Sequence, residues 1–586
     1  MTTAPRFASW IPGLACLVVL AAYAWLAALT DWPVDSPARG DNYYQLLADG
    51  FRAGQLHLRK APPPALEALP DPYDPVANVR FRGTHGVHDM SLYRGKLYLY
   101  FGVTPALALF LPASLLGLPL SEGWAIAIFC SIGFGAMAWT LCRVREKFFP
   151  AIGAVMTGSG LLVLGLAGGM PLLLARPHVY EVALSCGHAM AMLSLAAVWG
   201  AIERPVQRAW WIAAASLMYG LALGARAALL FGAAILLVPL VVEWKARGMT
   251  GSRRIAWFAA AVAPIAFVGF ALLLYNHLRF DSPLQFGEGY VLGGVKPLSA
   301  KQTFSWSYVG FNLRVYFWEP MQWSGRFPFV LGEKSWAVPA GYTAIDGPFG
   351  VLLTVPVVWF AALAPLAARP RTGDDDRRAV KALGWAAALL FGMCALTLAF
   401  FWGANGRYET EFLPALVFLA TLGFWGVERT LAKRRAARML ARVAWGSAAL
   451  FSIAFNVLIG CDPAAPVQSN IGYALLEKGR VPEAITRLRL ATWCQPGFAE
   501  AHCNLGTALH EAGRVNEALP EFAEAVRLRP NFVVARNNLA FALLQAGRLS
   551  EAKIQFEQVL RYQPGAVDAR RALEQIEEKL RRAGSP

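Results

Sequence analysis

The run Leu97-Tyr98-Leu99-Tyr100-Phe101-Gly102-Val103-Thr104-Pro105-Ala106-Leu107-Ala108-Leu109-Phe110-Leu111-Pro112-Ala113-Ser114-Leu115-Leu116-Gly117-Leu118 decides how the rest of the chain is arranged. It is long and apolar enough to cross a hydrocarbon core of about 30 Å. Whether it crosses sets the side of every later loop. It opens on aromatics, and Gly102, Pro105 and Pro112 interrupt it, so it suits a helix lying in a membrane interface as well as one that spans. Charge decides the question. If the run does not cross, loops 143–148, 203–208, 245–254, 369–381 and 428–442 share one side and hold twenty Lys and Arg. The short opposite loops near 173–181, 225–226 and 403–410 hold only Arg176, Arg226 and Arg407. Cytoplasmic loops are the basic ones, so the run is predicted to stay out of the count.

Working outward, apolar runs of spanning length occur near 11–30, 121–142, 149–172, 182–202, 209–224, 227–243, 255–275, 350–368, 383–402, 411–427 and 443–460. The expectation is an all-α, polytopic membrane bundle of about eleven spans over residues 1–460, with the N-terminus cytoplasmic. The first run is longer than the apolar core of a typical signal peptide. Composition agrees: the chain is 56% hydrophobic and 16% charged, with mean hydropathy +0.42, far from a soluble domain. The net charge of +16 sits in short loops rather than on one face, which argues against nucleic acid as a partner. Few charges fall within the spans and no pair of broken helices marks matching halves, which disfavours a transporter. Two large loops, 31–120 and 276–349, fall outside the cytoplasm, where loops of that size carry function.

After Asp462-Pro463 the chain turns charged and soluble, and a 34-residue period sets in. Gly479, Gly513 and Gly547 keep phase; so do Ala484, Ala518 and Ala552, then Leu488, Phe522 and Phe556, then Pro496, Pro530 and Pro564. This is the tetratricopeptide repeat (TPR) pattern, in which small residues let two helices pack closely. Repeats are predicted at 465–498, 499–532 and 533–566, with a capping helix over 567–583, making residues 461–586 an α-solenoid whose groove takes a protein partner. Cys494 and Cys503 lie there: they are either buried free thiols or, if the region is extracytoplasmic, a disulfide. The spacings of the eight cysteines give no metal motif.

Chemistry is expected at the bundle's outer end. Asp41 opens the polar stretch Gly40-Asp41-Asn42-Tyr43-Tyr44, where a partly desolvated carboxylate has the basicity and reach of a general base; equally, Asp41 is placed to cap a helix over 42–53. Arg407, then Arg226 and Arg279, are the cations placed to hold a phosphate, a role for which guanidinium is suited; each is also an ordinary interfacial anchor in the alternative reading. Thr84-His85-Gly86-Val87-His88-Asp89 has a weak metal spacing that would need a further ligand such as His178.

Several stretches resemble the GT-C glycosyltransferases, which take a sugar from a polyprenyl phosphate. They are the loop around Asp41, Tyr93-Arg94-Gly95-Lys96-Leu97-Tyr98 running on to Pro112, Tyr275-Asn276-His277-Leu278-Arg279-Phe280-Asp281, and Gly406-Arg407-Tyr408-Glu409-Thr410-Glu411. The resemblance covers roughly residues 1–460 and includes protein O-mannosyltransferases. It implies Asp41 as base, Glu181 as its partner, and Arg226, Arg279, Arg407 and Tyr408 as donor-phosphate residues. Read on its residues alone, Glu181 is an interfacial carboxylate paired with Arg176 or Arg226. Asn42 follows Asp41 where that family often has a second acid, so the resemblance leaves both a divalent metal ion and the acceptor, protein or glycan, open. The combined expectation is a bacterial inner-membrane sugar transferase whose periplasmic TPR domain recruits the acceptor or a partner. The alternative is a non-catalytic, membrane-anchored TPR scaffold for envelope or glycan assembly.

Overall fold

The computed structural model describes residues 10–30, 42–84, 86–244, 251–294, 303–323, 329–331, 337–340, 342, 344–347, 350–368 and 374–583. Among the described residues regular structure is overwhelmingly helical, and the strands form two-stranded pairs. Contacts divide the chain into two compact units, with the main boundary at Gly460/Cys461.

In the larger unit, α1 (Ile11–Thr30) is followed by α2 (Tyr43–Arg52), a hairpin of β1 (Ser91–Tyr93) and β2 (Lys96–Tyr98), and the short helix α3 (Ala106–Leu115). At 1.5 Å per residue the ten residues of α3 reach about 15 Å, half a bilayer core. Pro105 caps this helix, and the first residues of the run, Leu97 and Tyr98, belong to β2 rather than to a helical turn. The run that decides the topology therefore contains no helix of spanning length. Next come α4 (Glu122–Phe148), α5 (Ala154–Leu166), α6 (Val179–Glu203), α7 (Arg208–Ala225), α8 (Gly251–Phe280), α9 (Asp374–Phe400), α10 (Leu413–Thr430) and α11 (Arg435–Glu477). Among the described residues six helices, α1, α4, α6, α8, α9 and α11, are long and apolar enough to cross a membrane by length and composition.

Other expected spans fold differently. The run 149–172 is interrupted after α5, where Gly169 turns left-handed at φ 84. Runs 227–243 and 350–368 wind largely as 3₁₀ helix, over Ala227–Leu236 and Pro356–Ala368. A 3₁₀ helix rises about 2.0 Å per residue, so the thirteen residues of Pro356–Ala368 extend about 26 Å.

The two ends of this bundle differ chemically. At one end arginines tie off helix termini: Arg143 pairs with Glu203, Arg208 donates to the Ala201 carbonyl and Arg145 to that of Ile152. Arg429 donates to the Leu366 and Ala367 carbonyls and lies over Phe149, while Arg442 grips Glu428 through two bonds of 2.7 Å. These are residues of the basic loops, meeting helix C-termini where cations are favoured. At the other end the two large loops knit together. Leu292 N–H donates to the Met90 carbonyl, Asp89 N–H donates to that of Leu292, and Ser91 pairs with Val291.

The smaller unit continues from the end of α11 through α12 (Val481–Cys494), α13 (Ala499–Glu511), α14 (Val515–Leu528), α15 (Val533–Gln545), α16 (Leu549–Tyr562) and α17 (Val567–Ala583). Gly479, Gly513 and Gly547 follow the first helix of each pair at φ 71, 74 and 76, the left-handed exit that favours glycine. After each of them an arginine forks onto a glutamate three residues on: Arg480–Glu483, Arg514–Glu517 and Arg548–Glu551. Ala484, Ala518 and Ala552 are fully buried beside Leu488, Phe522 and Phe556. Cys494 and Cys503 are both buried and are not bonded to each other. Phe522→Ala removes the ring packed in this core and is expected to destabilise the unit by about 3–5 kcal/mol. Limited proteolysis of the full-length protein checks it: the variant should release the C-terminal helices at protease levels that spare the wild type.

Candidate functional site

Asp41 lies outside the described residues. The chain next to it is informative, because α2 starts at Tyr43 and its N-cap is Asn42, whose side chain accepts from Gln45 N–H at 3.0 Å. The cap of this helix is thus Asn42, one residue on from the position expected. Asn42 also donates to the Leu120 carbonyl, which ties α2 to the segment before α4.

Glu181 stands in the first turn of α6 and is fully buried. Its partner is Arg407, whose Nη1 donates to Oε1 at 2.9 Å. The expected pairing with Arg176 or Arg226 does not form, because both arginines are engaged elsewhere. Arg176 reaches Asp346 at 2.5 Å, and Arg226 grips Glu411 with Nε and Nη2 at 2.9 and 2.8 Å. Local structure explains the arrangement. The strands β3 (Ala344–Asp346) and β4 (Gly403–Asn405) pair in parallel and lead into a 3₁₀ turn, Gly406–Glu411, capped by Asn405 accepting from Arg407 N–H. That turn presents Arg407, Tyr408 and Glu411 to the N-terminus of α6. Arg226 comes from the extended junction after α7, at φ −145 and ψ 108.

Tyr408 joins the two pairs. The Arg226 guanidinium lies 5.2 Å from its ring centre and that of Arg407 5.7 Å; Arg407 also lies 4.4 Å from the ring of Tyr180. Burial works against both cations, but Glu411 beside Arg226 and Glu181 beside Arg407, with Tyr408 adding to each, more than offset it and hold both pKa values above the usual arginine value. The two are permanent charges. Each carboxylate gives only one oxygen to its arginine, and Glu181 Oε2, Glu411 Oε2 and Arg407 Nε are buried without a protein partner. Unmatched buried polar atoms are costly, and three gathered in one cluster mark a place built to meet polar groups.

Arg279 is outside this cluster. It is buried, donates to the Leu99 carbonyl and the Asn276 side chain at 2.7 Å each, and lies 3.9 Å from the centre of the Tyr275 ring. It clamps the end of α8 to the segment between β2 and α3. The structure therefore brings together Glu181, Arg226, Arg407 and Tyr408 and sets Arg279 apart. Two further residues have another place in the sequence reading: Glu411, quoted only within the stretch Gly406–Glu411, and Asp89, read only in a weak metal spacing with His85 and His88, which accepts a hydrogen bond from the Tyr180 hydroxyl. Among the described residues no three His, Cys, Asp or Glu side chains gather to hold a metal ion. His85 is outside those residues, and Nε2 of His88 lies 3.3 Å from Asp89 Oδ2.

Residues 509–576 match the tetratricopeptide repeat family model. The chain carries a C-terminal TPR. Among solved structures it is similar to the first TPR of Spaghetti (RPAP3) bound to an HSP90 peptide, at 24% identity over 20% of this chain and 94% of that one, with a TM-score of 0.19. It is also similar to the Arabidopsis OM64 TPR domain, at 20% identity over 20% and 98%, TM-score 0.20. A third is YrrB, a TPR protein with an unusual peptide-binding site, at 24% identity over 26% and 84%, TM-score 0.20. No curated protein matches the chain.

Proposed function

We propose that the larger unit is a GT-C-like membrane sugar transferase of a bacterial inner membrane, taking its sugar from a polyprenyl-phosphate donor. One observation carries the reading: two permanently charged, largely buried guanidiniums flank a single tyrosine at the bundle end opposite the arginine-tied one. A departing polyprenyl phosphate gathers negative charge as its bond to the sugar breaks. Fixed cations in a site of low dielectric stabilise that charge more in the transition state than before it. Glu181 and Glu411 hold Arg407 and Arg226 in place for the phosphate, and their free oxygens suit sugar hydroxyls. A carboxylate of the first large loop takes the acceptor proton; by the resemblance this is Asp41. Six apolar helices of spanning length among the described residues fit a membrane domain, and the segregation of basic loops supports putting the site and the TPR domain on the periplasmic side. The TPR domain recruits a protein acceptor or partner, as repeats of this kind present a groove for another protein.

The scaffold reading rests on the TPR domain alone, the part of the chain with a family match. The two are separated by supplying full-length protein in vesicles with labelled lipid-linked sugars extracted from the native membranes. The transferase reading expects label to leave the lipid, and Arg407→Lys to stop it. A scaffold gives no turnover, and its cellular role is lost on replacing the exposed aromatics Tyr473 and Phe541 of the repeats.

A further inference from the structure

The repeats of the smaller unit share a polar contact beyond their pattern of glycine, alanine and proline. Gln468, His502, Arg536 and Arg570 occupy one repeat position, and Arg487, Glu521 and Gln555 occupy another. In the third repeat Arg536 of α15 donates from Nη1 to Gln555 Oε1 of α16 at 2.8 Å and from Nη2 to the Pro530 carbonyl at 2.7 Å. It thus ties both helices of its repeat to the proline turn that ends the repeat before. Arg570 of α17 donates likewise to the Pro564 carbonyl at 2.8 Å. In the first repeat Arg487 of α12 reaches Gln468 Oε1 of α11 at 3.2 Å.

In the second repeat the residue in that place is His502, near the start of α13. Its Nδ1 lies 2.7 Å from Glu521 Oε2 of α14, and its Nε2 lies 3.1 Å from the Pro496 carbonyl oxygen. The His502 side chain is 12% exposed and that of Glu521 28%, so water replaces little of either contact. A carbonyl and an ionised carboxylate only accept, and a neutral imidazole has one N–H. Both contacts are hydrogen bonds only when the pair holds one proton more, and the ring nitrogen, a stronger base than the carboxylate, takes it. Arginine makes both bonds at every pH, histidine only while it is charged.

Other charged side chains on the helices packed with α13 have partners of their own. Glu500 of α13 meets Arg529, and Glu517 of α14 is held by Arg489 of α12 and by Arg514. Arg527 forks onto Glu524 within α14, and Arg480 onto Glu483 at the start of α12. Glu477 and Glu511 are the last residues of α11 and α13. His510, also on α13, meets Gln545 Oε1 of α15 through Nε2, a bond the neutral ring makes as well.

We infer that His502 is a pH-dependent latch between the first and second repeats. Charged, it joins the Pro496 turn to Glu521. Neutral, it sets a bare nitrogen lone pair against one of the two oxygens, and the junction loosens. The latch is complete on the acid side and is lost as pH rises through the range in which imidazole discharges, about pH 5 to 8. A solenoid is held by contacts between neighbouring repeats, so loosening one junction loosens the array at that point. Nothing in this depends on the transferase reading.

Amide hydrogen exchange of the full-length protein in detergent, expressed as protection factors, reads the latch free of the pH dependence of the exchange chemistry. Protection of α13 should be roughly 10-fold greater at about pH 5.5 than at about pH 8, the scale of a hydrogen bond to a charged group. His502→Arg should hold the higher protection at both pH values, as Arg536 does in its place, and His502→Gln the lower one at both. His510→Gln should respond as the wild type does. Wild-type protection that agrees within about twofold at the two pH values overturns the inference. So does a folded His502 variant of either kind that keeps the wild-type response, or a His510→Gln protein that loses it, since the titrating group then lies elsewhere.

Discussion

Glu181→Gln is expected to destabilise the protein by about 3–5 kcal/mol, because it leaves the Arg407 guanidinium buried without a counter-charge. The Glu181 side chain is 1% exposed and that of Arg407 17%, at 2.9 Å from each other, so water screens little of the loss. The glutamine keeps the shape and an acceptor oxygen, and the penalty is therefore electrostatic rather than steric. The double change Glu181→Gln/Arg407→Gln should recover much of the loss, since removing both charges relieves the desolvation that remains when one stays. Thermal unfolding of the detergent-solubilised protein measures both. A single variant that melts with the wild type would mean that water reaches this pair and that the cluster is not the sheltered site described.

Gly102→Val should be the other severe change. A side chain at Gly102 points at the Gly224 and Ala225 carbonyls, which are backbone and cannot swing aside. The two segments are pinned, because Thr104 donates to the Leu221 carbonyl at 2.8 Å and Tyr44 to that of Gly102 at 3.3 Å. Even Gly102→Ala must push the two segments apart, at a cost of about 1–3 kcal/mol or more. Arg226 follows Ala225 directly, so that displacement should also move its guanidinium off Glu411 and Tyr408. We expect Gly102→Ala to lower the melting temperature and weaken undecaprenyl-phosphate binding together. Gly102→Val should fail to accumulate as folded protein, as judged by size-exclusion chromatography in detergent.

Much of this architecture can be read from the residues. The TPR period is visible because each structural duty falls on a residue type that serves it best: glycine at the left-handed exit, alanine where two helices touch, and a large apolar side chain between them. The short helix within 97–118 is visible because prolines and aromatics interrupt the apolar run. Arg407 and Tyr408 stand out as polar residues in a short loop between apolar runs. The pairings do not. Arg226 and Glu411 are 185 positions apart, and nothing in either neighbourhood says which helix ends meet. The 3₁₀ stretches were invisible for a related reason: their apolar composition is that of a spanning α-helix, and only close packing selects the tighter winding. Asp89 was submerged in a weak metal spacing with His85 and His88. Its partner is Tyr180, ninety-one residues later, which no local motif reveals.

The most direct measurement is equilibrium binding of undecaprenyl phosphate to the full-length protein and to its Arg226→Lys, Arg407→Lys and double variants. Lysine keeps each charge beside its carboxylate and so preserves the fold, but it loses the planar fork that grips phosphate oxygens. Saturable binding by the wild type is expected, weakened roughly 10- to 100-fold by each substitution, as loss of a charge-assisted hydrogen bond implies. Wild-type protein that does not bind the lipid, or variants that bind it as tightly as the wild type, would contradict a phosphate site at these two arginines.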